Sequence, residues 1–104
     1  MVTINIAKDF SKYPIGREGE FSGKTFREKH LLPHLINDVD LIVVDFDGVY
    51  GYPGSSFLEE AFAGLVRNGS INSSDFFKKI NIVNLESSIV EEIESYVSDA
   101  GNDI

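Results

Sequence analysis

Two pairs of side chains in this chain stand where chemistry is commonly done. Asp45 and Asp47 follow directly on the apolar run Leu41 to Val44. In an α/β sheet the carboxyl end of a strand is where ligands and metals sit, and two carboxylates there could hold Mg²⁺. Asp47 followed by Gly48 is equally a common turn pair, because an aspartate bonds its own backbone. Ser55 and Ser56 form the second pair, at the expected start of a helix. Ser56 with Glu59 three residues on fits a capping box, in which the hydroxyl accepts the Glu59 amide proton and the carboxylate reaches back to the cap amide. The serines are thus a helix cap or hydroxyls displayed at a helix N-terminus.

Further candidates surround these. Tyr50 and Tyr52 lie on the loop before the helix. Exposed, they would be interface anchors; packed on the sheet, they would be core filler. Arg17 and Arg27 could bind an anionic ligand or a partner's carboxylate, or pair with acids such as Glu18 and Glu28. His30 and His34 are four apart, a spacing that can ligate a metal from one helix face. Pro33 between them spoils that geometry, and no third ligand is evident. Gly48, Gly51 and Gly54 do not make a phosphate loop, since no Gly-Lys-Ser/Thr follows. Their glycines suit a turn that needs positive φ.

The elements that must position these residues follow from patterning. Leu41 to Val44 reads as a strand buried on both faces, as in the middle of a parallel sheet. Phe57, Leu58, Ala61, Phe62, Leu65 and Val66 repeat at helical spacing behind the serines, and Asn68-Gly69 ends that helix. Val2 to Lys8 alternates as a short half-buried strand. Asp9 to Gly23 reads as a loop that could hold a short hairpin, long enough to suggest function. Ser22 to Asp38 reads as a helix that Pro33 should kink or split. Ser73 to Phe76 starts a short helix or an extended lead-in. Lys79 to Leu85 reads as the last strand. Ser88 with Glu91 repeats the capping box before a closing helix, and residues 99–104 read as a frayed tail. Strands alternating with helices indicate an α/β fold with right-handed parallel crossovers.

Composition sets bounds on this reading. The 104 residues suffice for one domain with one core. With no cysteine, no disulfide, zinc–thiolate site or thiol nucleophile is available. The net charge of −8, with nine scattered basic residues against 17 acidic ones, argues against nucleic acid and against anionic membrane. No apolar run approaches the roughly 20 residues of a bilayer span, and the N-terminus lacks the basic region of a signal peptide, so a cytoplasmic protein is expected. From Glu86 onward the chain is acidic with no Lys or Arg. Such a run is a solvated face or a docking surface for a basic partner.

These residues carry a resemblance. Ile42 to Val49, the glycine-rich turn, and then Ser55 to Leu58 resemble the central motif of STAS domains, the sulfate-transporter and anti-sigma-factor-antagonist fold. The chain is more similar still to the bacterial STAS-like family of unknown function, in Pro14 to Arg17, in Ser22-Gly23 with Phe26-Arg27, in Leu31 to Pro33 and in Ser56 to Phe62. It departs from the antagonist motif: Pro53-Gly54 stands where the motif has an aspartate, and Phe57 replaces its glycine. The resemblance implies a STAS-like two-layer α/β sandwich, with a mixed, mostly parallel sheet of about four strands and helices on one face.

It also implies a non-enzymatic, cofactor-free regulatory domain that binds a protein partner, a histidine-kinase-like ATPase, as a monomer or weak dimer. Val49, Tyr50, Tyr52, Gly54 and Phe57 would form the partner surface. Phosphorylation of Ser55 or Ser56 by the partner would end the complex. A phosphate adds roughly −1.5 to −2 charges. The helix N-terminus would favour it and Glu59 and Glu60 would oppose it. The alternative is a small ligand-binding domain or enzyme using Asp45, Asp47 and Arg17, which requires a concave polar pocket with perturbed carboxylates. Self-association through a sheet edge is a third, structural reading.

Overall fold

Three parallel strands carry the fold in the computed structural model, which describes residues 1–102. They are β1 (Val2–Asn5), β2 (Ile42–Asp45) and β3 (Ile80–Val83), hydrogen-bonded in that order. The register aligns Val2 with Ile42 and Ile80, and Ile4 with Val44 and Ile82. Alternate rows share a face, and on this one Ile4, Ile42, Val44 and Ile80 are buried. The opposite face carries Thr3, Asn5, Val43, Asp45, Asn81 and Val83, none of them fully buried. Helices therefore cover one face, as the two-layer expectation requires. Two details differ from that expectation. Among the described residues the sheet has three strands rather than about four, all parallel, and β2 is buried on one face only. Val43 reads as core in isolation, but its row neighbours Thr3 and Asn81 are polar and exposed.

The helices start where short polar side chains end the extended chain. Asn5 accepts the Lys8 amide proton at 2.9 Å and so opens α1 (Ile6–Asp9), a single turn. That cap stops β1 three residues before the expected Lys8. Ser22 caps α2 (residues 23–36) through the Thr25 amide. Asn72 caps α4 (Ser73–Lys79) through the Asp75 amide. The closing helix α5 (Ser87–Asn102) begins one residue before Ser88, which puts Ser88 inside its first turn. It runs unbroken through Asn102 with Ala100 buried, so residues 99–102 are helix and not a frayed tail; residues 103–104 lie outside the described residues.

Two helices contain a π-turn. In α2 it covers Arg27–Leu31, and the Leu32 amide bonds the Arg27 carbonyl five residues back. Pro33 follows directly, with no amide proton to give and a ring that crowds the preceding turn. The widened turn absorbs that demand, and a new α-helical segment, Leu32–Ile36, follows it with Pro33 in its opening positions, so the regular helix is interrupted ahead of Pro33 as expected. In α3 (residues 55–67) the π-turn covers Glu59–Ala63. The apolar face of α3 is buried throughout, from Phe57 to Val66.

The two helices cross in close contact. A Cβ on Gly23 would lie 2.5 Å from the Phe57 carbonyl oxygen and 2.8 Å from the Ala61 nitrogen. Only glycine allows that backbone approach. Beneath the crossing Phe26, Phe57, Phe62 and Phe76 form a chain of rings 5.9 to 6.4 Å apart, Phe26 meeting both Phe57 and Phe62, and Phe62 meeting Phe76. Such contacts favour tilted or edge-on packing over a face-to-face sandwich.

Candidate functional site

The Asp45–Asp47 segment stitches strand ends together. The Asp45 carboxylate accepts from the Asn84 amide group at 2.8 Å and from the Asp47 backbone at 2.9 Å. Asn5 reaches across from β1 to donate to the Asp47 carbonyl at 3.1 Å. The bonds from Asn84, then from Asp47, hold the Asp45 carboxyl below the usual carboxylate range. This is a carboxylate spent on hydrogen bonds. Among the described residues no three His, Asp or Glu side chains converge on a common point. The nearest cleft is lined by Phe46 and Asn84 and by neither aspartate.

The two serines stand apart from any cap. Gly54, at φ +90° and ψ 144°, occupies the cap position of α3 and supplies no side-chain bond. The helix begins at Ser55, so Ser55 and Ser56 are its first two residues, and both are exposed. The capping box expected of Ser56 and Glu59 does not form. Glu59 is bound elsewhere: its Oε1 accepts from Arg17 at 2.6 Å and its Oε2 accepts from Arg67. A glutamate faced by two guanidiniums lies nearer to them than to the cap amide it was expected to reach.

Those ion pairs belong to a chain of five charges. Arg27, almost wholly buried, donates to the Glu60 carboxylate at 2.6 Å and to the Glu60 backbone carbonyl. Arg67 lies 3.5 Å from the same carboxylate. A π-turn shifts helical hydrogen bonds by one residue and leaves carbonyls to find other partners; the Glu60 carbonyl finds Arg27. The two π-turns thus meet where Arg27 of one touches Glu60 of the other. Gly64 makes the room, since a Cβ there would stand 2.1 Å from Arg27 Nη1. Burial alone would raise the carboxyl pKa of Glu59 and Glu60. The arginines outweigh it, and both are lowered from the ordinary 4.5. Arg17 and Arg27 therefore pair with Glu59 and Glu60, not with the sequence neighbours Glu18 and Glu28.

The 10–22 loop contributes a surface that patterning missed. Its Phe10 enters the core beside Phe26 and Phe57. Its Lys12 carbonyl accepts the Tyr50 amide proton at 2.9 Å. Tyr13 then stacks on Tyr50, with centroids 5.0 Å apart and planes at 23°. Both rings face solvent, Tyr13 being 65% and Tyr50 58% exposed, with Ile15 at 72%. The loop lies beside the 46–54 loop and leaves Ser55 and Ser56 uncovered. Tyr52 is half exposed and its hydroxyl donates to Glu92 Oε1 at 2.7 Å; Tyr96 donates to the same oxygen. Partial burial and the Glu92 carboxylate push the Tyr52 hydroxyl up to about 12.

Of the residues expected to form a partner surface, Tyr50, Tyr52, Val49 and Gly54 retain exposure and share one loop. Phe57 does not belong with them. It is fully buried against Phe10 and Phe26, because the apolar face of α3 begins at its third residue and turns inward. Tyr13 and Ile15 replace it. The signal that could have found them is the placement of large apolar residues among glycines and charges in a long loop. His30 stacks on Phe26 and meets Phe10 edge-on, and burial lowers its pKa.

Residues 22–90 match the family described as a STAS-like domain of unknown function. No curated protein and no solved structure matches the chain. Among the described residues no helix is long and apolar enough to cross a membrane.

Proposed function

The chain belongs to the STAS-like family, and from that premise we propose that it is a non-enzymatic interaction module. Its partner docks on the face made by the 10–22 loop, the 46–54 loop and the first turn of α3. The observation that carries this reading is the solvent-facing stack of Tyr13 on Tyr50, with Ile15 exposed on the loop that carries Tyr13 and two exposed serines opening α3. Rigid aromatic side chains held by a backbone bond between two loops are the kind of anchor that dominates binding energy at interfaces. By analogy with the antagonists it resembles, the partner is a histidine-kinase-like ATPase and the switch is phosphate on Ser55 or Ser56. The first-turn amides and the positive helix end favour a phosphate there. The opposition expected from Glu59 and Glu60 is offset by Arg17, Arg27 and Arg67, three guanidiniums facing two carboxylates.

The test is affinity capture from the native host's lysate, with and without ATP, by the wild-type domain and by Tyr13→Ser/Tyr50→Ser. The wild type is expected to retain an ATP-binding protein that the double variant loses. ATP is expected to release it and to leave one phosphate on Ser55 or Ser56. Equal retention by the double variant overturns the docking face. Release without any change in the domain's mass overturns the phosphate switch.

A further inference from the structure

The two serines that open α3 face different neighbours. At about 3.6 residues per turn, the residues three and four places along a helix flank the starting one. For Ser56 these are Glu59 and Glu60. Helical side chains lean back towards the N-terminus, so both carboxylates stand over the turn that holds Ser56. Arg17 reaches them from the 10–22 loop: its Nη1 lies 2.6 Å from Glu59 Oε1 and 3.5 Å from Glu60 Oε1. Its guanidinium therefore bridges the two residues that flank Ser56. Ser55 lies on the α5 side instead. It adjoins Tyr96, whose hydroxyl shares Glu92 Oε1 with that of Tyr52. α5 brings no cation, since no Lys or Arg follows Lys79 in the chain.

The arginines around Ser56 differ in how firmly they are committed. Arg27 is buried and holds a backbone carbonyl as well as Glu60. The Arg17 side chain is 50% exposed, and its bonds go to carboxylates alone. When Arg17 leaves, Glu59 keeps Arg67 and Glu60 keeps Arg27, so neither carboxylate is orphaned. The loop stays in place meanwhile, because the Arg17 carbonyl accepts the Lys24 amide proton and ties the loop to α2. A phosphate brings roughly −1.5 to −2 charges and three acceptor oxygens against the single charge of a carboxylate. Its geometry suits the two-point fork of a guanidinium.

We infer that Ser56 is the hydroxyl that takes the phosphate and that Arg17 is its receptor, passing from Glu59 and Glu60 to the phosphate once it is in place. The inference rests on the phosphate switch proposed above and adds its site and the group that retains it. The donor is ATP on the partner. The bond from Ser56 Oγ to the γ-phosphorus forms, the bond from that phosphorus to the β–γ bridging oxygen breaks, ADP leaves, and the hydroxyl proton goes to water. The new charge is then paired within the domain, so modification alters the docking face and leaves the fold intact. On Ser55 the same group meets Glu92 with no guanidinium to balance it.

The experiment installs the phosphate on Ser56 or on Ser55 during synthesis of the full chain, by codon reassignment, and titrates each by phosphorus NMR. A phosphate held by a guanidinium gives up its second proton more readily. On Ser56 the second pKa is expected about half a unit or more below its value in the urea-unfolded chain, and Arg17→Gln should return most of that shift. Arg67→Gln, which alters the other half-exposed arginine, should return less. On Ser55 the second pKa should be higher than on Ser56, and Arg17→Gln should leave it unmoved. The urea midpoint should be lower with the phosphate on Ser55 than on Ser56. Arg17→Gln leaves Glu59 with Arg67, so the variant is expected to fold. The inference is overturned if the Ser56 phosphate ignores Arg17→Gln, if Arg67→Gln moves it more, or if the Ser55 phosphate has the lower pKa. Installing the phosphate needs no partner, so the receptor and the switch fail separately. If ATP-dependent capture leaves phosphate on the domain while these titrations fail, the switch stands and the receptor falls. If capture leaves no phosphate, the switch falls whatever the titrations show.

Discussion

The first turn of α3 and the π-turn that follows it use their polar groups in opposite ways. In the π-turn, Glu59 and Glu60 are each held by guanidiniums, a backbone carbonyl is bonded by Arg27, and Gly64 makes way for that side chain. In the first turn, two hydroxyls are exposed and the cap is a glycine without a side chain. One region has committed its hydrogen bonds to the fold; the other has kept them for solvent or a partner. The contrast separates residues whose loss should unfold the domain from those whose loss should only alter binding.

Four measurements bear on that contrast, the largest effect first. Arg27→Ala leaves a buried carbonyl and carboxylate short of a donor and should cost about 3 kcal/mol in urea unfolding. Replacing both partners, as Arg27→Met/Glu60→Leu, should cost less than half of that, since no uncompensated charge remains. A double variant as unstable as Arg27→Ala would place the energy in the α2–α3 contact geometry instead of the ion pair. Gly23→Ala should cost about 2–3 kcal/mol, because the atoms its methyl meets are backbone and cannot swing aside. A smaller loss would mean that α2 and α3 separate easily.

The third measurement is the pH dependence of stability. Glu59 and Glu60 have folded-state values below the ordinary 4.5. Their contribution is therefore complete above that value and is lost as pH falls through the lower folded-state values. The urea midpoint should hold from about pH 7 to pH 5 and then drop, and Glu59→Gln should make the drop shallower. An acid limb unchanged by that variant would remove Glu59 from the account. The smallest effect compares caps. Ser22→Ala removes a capping hydroxyl and should cost about 1 kcal/mol, while Ser56→Ala should change stability by less than about 0.5 kcal/mol. A loss at Ser56 as large as at Ser22 would restore the capping role that the structure assigns to neither serine of α3.

Much of this molecule can be read from residue order, and the unreadable parts share a cause. β2, the apolar face of α3 and the closing helix follow from patterns that local spacing encodes. The aromatic stack of Tyr13 on Tyr50 joins two loops that are distant in sequence, so no local pattern announces it. Arg27 and Glu60 likewise lie on different helices, and each has nearer candidate partners along the chain. Phe57 falls on the apolar face of α3 by its spacing, and the structure follows that local pattern and not the partner surface that the resemblance implied for it. Ser56 with Glu59 satisfies a true local rule and loses to two arginines that fold in from elsewhere. The tertiary contact decides wherever one side chain has both a local and a distant use.

The all-parallel sheet bears on how fast such a chain can find its fold. Val2 pairs with Ile42 and Ile42 with Ile80, so each strand pairing closes a loop of about forty residues before any sheet hydrogen bond offsets the entropy lost. Among the described residues no hairpin is available to start the process from neighbouring residues. Folding should therefore be slow for a domain of this size, with a rate set by topology more than by stability.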